Sequence, residues 1–241
     1  GSLLSAEFPA PVGGYTETIL RMIDVIFAAA AQAAPERVVA NAYGTINALS
    51  IAGRRESGQP WVMFSFYGGG HGGSIESDGL NHGNAPISTA TIPPMEILEA
   101  AYPVMFRQWA LRPDSGGAGA HRGGLGAVYE IELLEERAEA FLFGERGRFP
   151  PQGVAGGGPA ALNRFSYEQA DGWHTPPLAS KITGVKLARG QAVRLETPGG
   201  GGYGAAAERA PAEVARDVAL GYLSAEAADA AYGPAWKEAG E

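Results

Sequence analysis

The chain has 241 residues, 45% hydrophobic and 18% charged, enough to bury a substantial core as one large domain or two small ones. A net charge of −8 and a pI near 5.1, with no run of Lys or Arg, argue against nucleic acid, which rewards a basic face. Zero cysteines exclude disulfides and thiolate metal sites and leave the redox compartment open.

The first strong element is a helix over 15–34. Ile19, Ile23, Ile26 and Ala30 recur at spacings of three and four, Thr16 can cap it, and Pro35 ends it. Its most apolar window, "TILRMIDVIFAAAAQAA" at 18–34, carries an Arg and an Asp and is too short to span a bilayer. The start, "GSLLSAEFPAPVGG", lacks a basic n-region, so we expect a cytoplasmic protein with no membrane partner. Gly1-Ser2 in place of an initiator Met reads as a cloning scar or as the middle of a longer protein.

"WVMFSFY" (61–67) is a buried strand running into glycines, and Pro94 and Pro103 frame a short helix over 94–102. Strands follow at 104–112 and 128–135, the latter alternating Tyr129, Ile131 and Leu133 against Glu130, Glu132 and Leu134. We expect 139–144 to pair with it as a hairpin, and 181–187 with 191–197 as a second hairpin turning at Arg189-Gly190. The segment 148–159 is a loop. In the tail, Pro211 opens a helix that Gly221 ends, and Ser224 caps another before Gly233-Pro234. The fold class is α+β: a β-rich middle with glycine-rich loops, a long N-terminal helix and short C-terminal helices. Its segments are 1–103, 104–204 and 205–241.

The 36 glycines are roughly twice the usual share and are clustered at 68–73, 116–126, 156–158 and 199–204. None of these runs has the lysine of a phosphate loop. "GGGHGG" follows a strand, but the next helix starts about twenty residues later, which speaks against a dinucleotide fingerprint. His71 and His82, with Asp78 between them, are the residue types of a His/Asp metal site. Yet no H-x-x-x-H spacing exists, and the alternative is imidazoles bonded to backbone in a turn-rich region. No G-x-S-x-G occurs, and Ser74 near His71 is no nucleophile signal. Chemistry alone leaves polar, turn-rich loops able to line a pocket: His71 and Asp78 in one, Arg112, Asp114, His121 and Arg122 in "LRPDSGGAGAHRGGLG". An Asp–Arg pair pinning a glycine turn is the equal alternative for the latter. "DGLNHGN" makes Asn81, His82 and Asn84 the catalytic candidates, because it sets four polar side chains between a glycine turn and a proline-opened helix. A neutral imidazole there can orient water or donate to an oxyanion. The alternative for His82 is tying the loop to backbone carbonyls.

In chain order, "DGLNHGNAPISTATIPPMEILEAAYPV", "LRPDSGGAGAHRGGLGAVYEIE", "RGRFPPQGVAGGGP", "ETPGGGGYG" and "ERAPAEVARDVALGYLSAEAADAAYG" occur here. Together they resemble the C-terminal half of the hydantoinase B/oxoprolinase family. The opening through "APERVVANAYGTINAL" resembles its central helix and the segment after it. The family includes B subunits of ATP-dependent N-methylhydantoinases, half of 5-oxoprolinase, and subunits of acetone and acetophenone carboxylases. The resemblance implies a chain lacking the N-terminal half, which carries His/Asp metal ligands in relatives where a metal is known. Nothing here matches those ligand motifs, so we expect no metal on this chain and zinc or manganese, if any, on the N-terminal half. It further implies a partner hydantoinase A-like ATPase subunit holding ATP and Mg, which phosphorylates the oxygen of a cyclic amide or ketone. The B-type part then carries out ring hydrolysis or carboxylation. A non-catalytic assembly module is the third reading.

Overall fold

Along β2 (Pro60–Tyr67) every second residue is buried, so Trp61, Met63, Ser65 and Tyr67 point into a core while Val62, Phe64 and Phe66 face outward. That alternation makes β2 one wall of a β-sandwich. The computed structural model describes residues 5–11, 15–88 and 93–239; the calls on Gly1-Ser2 and on the Thr16 side chain lie outside the described residues.

β2 pairs with β1 (Asn47–Arg54), which pairs with β5 (Arg137–Phe143), which pairs with β8 (Lys181–Ala188). The second sheet runs β3 (Val104–Leu111), β4 (Ala127–Leu133), β9 (Ala192–Glu196), β6 (Arg164–Gln169), β7 (Gly172–His174). Neighbours in both sheets are antiparallel. With five helices α1–α5 among the described residues, the architecture is mixed α+β. Leu49, Ile51 and Met63 from one sheet meet Ile131, Leu133, Val193 and Leu195 from the other, all at or near zero exposure.

Both expected hairpins are corrected. β4 and β5 are consecutive but lie in opposite sheets, and so do β8 and β9. The alternation identified the inward face of β4 correctly, but residues 134–136 and 189–191 carry the chain around the sandwich edge instead of folding it back within a sheet. The two corners lie together: Gly190 N donates to Leu133 O at 2.9 Å and Arg189 N to Glu136 O at 3.2 Å. On the outer face, a bulge at Arg107 turns its guanidinium onto Glu132, Glu130 and Glu168, at 2.7, 3.3 and 3.2 Å.

Helix α1 (Tyr15–Ala30) ends short of Pro35, which opens a separate 3₁₀ turn. The buried stripe also differs from the expected one. Leu20 and Ile23 pack on Ile46 and Ala85, and Phe27, Ala30 and Ala31 pack on Val38, Ala40, Val154 and Tyr203, while Ile19 and Ile26 are exposed. The helix is apolar on more than one face, and the small Ala30 and Ala31 select the side that approaches closely. In the tail, α3 (Pro211–Ala219) and α4 (Ala225–Tyr232) form as read, with the Ser224 hydroxyl accepting from Ala227 N at 3.1 Å. A short α2 (Met95–Ala101) and α5 (Trp236–Ala239) complete the set.

Between the sandwich, α1 and the tail, the four glycine runs meet in one layer joined backbone to backbone. Gly70 N donates to Pro198 O, Gly73 N to Gly201 O, Gly117 N to Gly200 O and Gly202 N to Gly158 O, all between 2.8 and 3.0 Å. A Cβ on Gly123 would lie 1.7 Å from Gly200 O, and one on Gly70 1.9 Å from Gly124 O. Strands of chain this close admit hydrogen only, which accounts for the glycine excess.

Candidate active site around His82

The loop 78–84 leaves the glycine layer and is clamped to the segment entering β4. His82 N donates to Leu125 O at 2.8 Å, and Leu125 N donates back to Asn81 Oδ1 at 2.9 Å. Gly69 and Gly83 exchange a second pair of backbone bonds. His82 itself has φ +50, a left-handed conformation uncommon for a side-chain-bearing residue, and so turns its ring against β3 and β4.

There the imidazole meets Trp109 and Tyr129, a cross-strand pair. The Trp109 indole N–H, which can only donate, points at His82 Nε2 at 3.2 Å, and the Tyr129 hydroxyl also contacts Nε2. Nε2 is therefore an acceptor and the ring proton resides on Nδ1. Burial lowers the His82 pKa below the usual histidine value, which keeps the ring neutral near pH 7. Burial likewise raises the Tyr129 pKa well above that of a free phenol, so it stays a hydroxyl, with Gly68 O within 3.5 Å. A half-buried, neutral and oriented imidazole has the properties of a general base or of a hydrogen-bond donor to developing negative charge.

The other candidates divide among three places. His71 joins the His82 loop by donating from Nε2 to Asn84 O, while Asn84 Oδ1 accepts from Ala85 N at 2.7 Å. Asp78, Asn81, His121 and Arg122 form a second cluster with two residues that sequence reading missed, Arg209 and Asp217. Arg209 grips Asp78 with two bonds of 2.7 and 2.8 Å and reaches Asp217 at 2.7 Å. Arg122 reaches Asp217 at 3.1 Å and Asn81 Oδ1 at 3.1 Å, and stacks over Tyr222. His121 Nδ1 lies 3.9 Å from Asp78. Burial works to raise the Asp78 pKa, but Arg209 and then Arg122 outweigh it and hold the carboxyl below its usual range. A depression of about 400 Å³, edged by Glu208 and Glu213, opens beside this cluster.

Arg112 and Asp114 lie apart from both groups. Buried Arg112 donates to the carbonyls of Leu162, Thr197 and Glu196 and so staples strand ends. Asp114 accepts from Ser224 N at 2.7 Å, holding the start of α4. Arg122 thus pairs with Asp78 and Asp217 and not with its neighbour Asp114.

The missed residues were partly visible. Asp217 sits three residues after the buried Val214 on one face of α3, and a carboxylate there needs a partner. Trp109 and Tyr129 read only as strand residues. His71, His82 and Asp78 do not fit a His/Asp metal site: both Nε2 atoms are engaged and the carboxylate is held by arginines. Among the described residues no group of three or more His, Cys, Asp or Glu is placed to hold a metal ion. No described helix is long and apolar enough to cross a membrane.

A glycine-layered α+β body with a polar loop set against a sandwich is the class of protein that the fold defines. The sequence profile of the hydantoinase B/oxoprolinase family matches residues 1–206, and the chain belongs to that family. It is similar to caprolactamase subunit beta of Pseudomonas jessenii, 32% identical over 244 residues, covering 97% of this chain and 42% of that protein. It is also similar to 5-oxoprolinase of Dictyostelium discoideum, 31% identical over 205 residues, covering 85% of this chain and 15% of that protein. The crystal structure of ATP-dependent caprolactamase from Pseudomonas jessenii superposes with a TM-score of 0.83 at 29% identity, over 95% of this chain and 41% of that one. The chain spans less than half the length of these relatives.

Proposed function

We propose that this chain is part of an ATP-dependent hydrolase of cyclic amides, with His82 acting on a substrate that a partner ATPase subunit has activated. The observation that carries the reading is the neutral imidazole held by Trp109 and Tyr129 at the edge of the glycine layer. Two relatives, a caprolactamase and a 5-oxoprolinase, are named for ring amides.

A ring amide is a poor electrophile. Transfer of a phosphoryl group from ATP to its oxygen converts that oxygen into a leaving group. Water then adds at the carbon, the ring nitrogen takes up a proton and leaves as the C–N bond breaks, and a second water hydrolyses the resulting acyl phosphate to carboxylate and phosphate. The B-type part supplies positioning and charge stabilisation, with Asn81 and Asn84 shaping the His82 loop. ATP and Mg belong to the hydantoinase A-like subunit, and any zinc or manganese to the N-terminal half of the B subunit. The outer face of the first sheet exposes Val62, Phe64, Phe66 and Phe143, a surface suited to that half. An assembly role is the second reading, favoured by the structural engagement of Arg112, Asp114 and Arg122.

The test is the complete complex, with both partner polypeptides co-expressed. Caprolactam, hydantoin and 5-oxoproline are offered with ATP, and ring opening is followed by chromatography. ATP-dependent opening that falls sharply in His82→Gln, at unchanged melting temperature, supports the reading. Acetone and bicarbonate are offered with ATP in parallel, and bicarbonate-dependent ketone consumption without ring opening would place the complex with the carboxylases. Full activity in His82→Gln leaves the assembly role.

A further inference from the structure

A separate cavity of about 520 Å³ is lined by α1, the loop after β5 and the segment entering β8, and the ring-opening reading makes no use of it. Its walls carry Arg21, Arg146, Arg148 and Lys181, and its rim carries Phe149 and Leu178, which are 70% and 66% exposed. In a chain of net charge −8, four cations around one opening demand a reason.

Among the described residues, two carboxylates answer them. Asp24 is shared by Arg21 and Arg146, each at 2.7 Å, and Glu145 by Arg21 at 3.2 Å and Lys181 at 3.8 Å. Arg148 has no ion pair among the described residues and lies over the Phe149 ring. Four positive charges less two negative leave an excess of two at the opening. The Arg146 side chain is 9% exposed, yet its Nε makes no hydrogen bond. Burial, reinforced by Arg21, lowers its pKa to about 10 against the opposing pull of Asp24 and Glu145.

The floor of the cavity includes Ser180, 8% exposed, which carries a hydroxyl. Gly147 leaves that hydroxyl uncovered: a Cβ at 147 would lie 2.8 Å from Ser180 Oγ. A buried guanidinium nitrogen without a hydrogen bond, a serine hydroxyl in the cavity floor, surplus positive charge and an apolar rim have one complementary ligand type. We propose that this cavity binds a small organic anion, a carboxylate or phosphate group carried on a short apolar stem.

The test is calorimetric titration of the 241-residue chain at low salt with hexanoate and, separately, hexyl phosphate. One-to-one binding of either probe is expected, weakening as sodium chloride is raised. The double variant Arg148→Glu/Lys181→Glu, which reverses two of the four cations and spares Arg21 and Arg146, should weaken it about tenfold or more at unchanged melting temperature. Gly147→Ala, which fills the cradle without touching a charge, should weaken it too. Preference for one probe over the other identifies the head group. The proposal is overturned if neither probe binds at about 10 mM, the bottom of specific affinity. Equal affinity for the charge-reversed variant, or binding of hexanol as tight as that of hexanoate, would overturn it equally.

Discussion

The sandwich and the glycine layer are two solutions to the same problem of filling an interior. In the sandwich, Ile131, Leu133, Val193 and Leu195 exclude water with side-chain volume. In the layer, Gly70, Gly123, Gly200 and Gly202 exclude it by having none, and backbone amides of distant segments satisfy one another. The first kind of interior relaxes around a changed methyl group, whereas the second has no soft atom to move. Tolerance to substitution should therefore differ sharply between them.

The largest break is expected from Gly123→Ala. Its new methyl would lie 1.7 Å from Gly200 O, so the layer must open, and we expect no cooperatively folded protein by circular dichroism. Next is Arg209→Met, which ties the tail to the layer no longer and strands Asp78 and Asp217 together; urea unfolding should show a loss of roughly 3–5 kcal/mol. The wild-type carboxyl of Asp78 has a depressed pKa when folded. Its contribution is full above the unfolded value of about 3.9 and is lost as pH falls through the folded value, so the stability gap between wild type and Arg209→Met should shrink in acid below about pH 4.

His82→Gln probes the seam, since the ring touches sandwich residues while its backbone is held by the layer. In the complete complex we expect turnover to fall about a hundredfold with little change in melting temperature. The folded His82 pKa is lowered, so the unfolded chain binds the extra proton first and wild-type stability drops as pH falls below the unfolded value of about 6.5. That decline should be smaller in the Gln variant. Ile131→Val, in the softer interior, should lose only about 1 kcal/mol in urea. The smallest change is Gly58→Ala, at φ +81 in open space. A loss of about 1 kcal/mol or less there would tie the sensitivity of the layer to contact and not to glycine itself.

The same contrast governs how much the sequence discloses. Alternation in β4, Pro211 before α3 and the Ser224 cap were legible because each is written in local side-chain chemistry; β2 read as a buried strand throughout, whereas Val62, Phe64 and Phe66 are exposed on its outer face. Sheet membership was not: the pattern of β4 and β5 states which residues face inward but not that 134–136 turns a corner. A glycine run carries no pattern at all, so the union of four runs could not be read. At the site, Asn81, His82 and Asn84 stood out by polar density, whereas Trp109 and Tyr129 were hidden by being ordinary strand residues. Their role arises only when register sets them opposite each other and beneath the left-handed turn at His82.

The bond from Gly70 N to Pro198 O joins parts of the chain that synthesis separates by about half of its 241 residues. Closing so long a loop is entropically unfavourable, and glycine surrenders more freedom than any other residue when it is fixed. The layer offers no apolar surface to drive collapse, so it should form late, on a sandwich already closed. Time, on this account, separates the two interiors as well as chemistry. Amides of the glycine runs should gain protection from hydrogen exchange after those of β1, β5 and β4, even though the finished layer is among the most enclosed parts of the molecule.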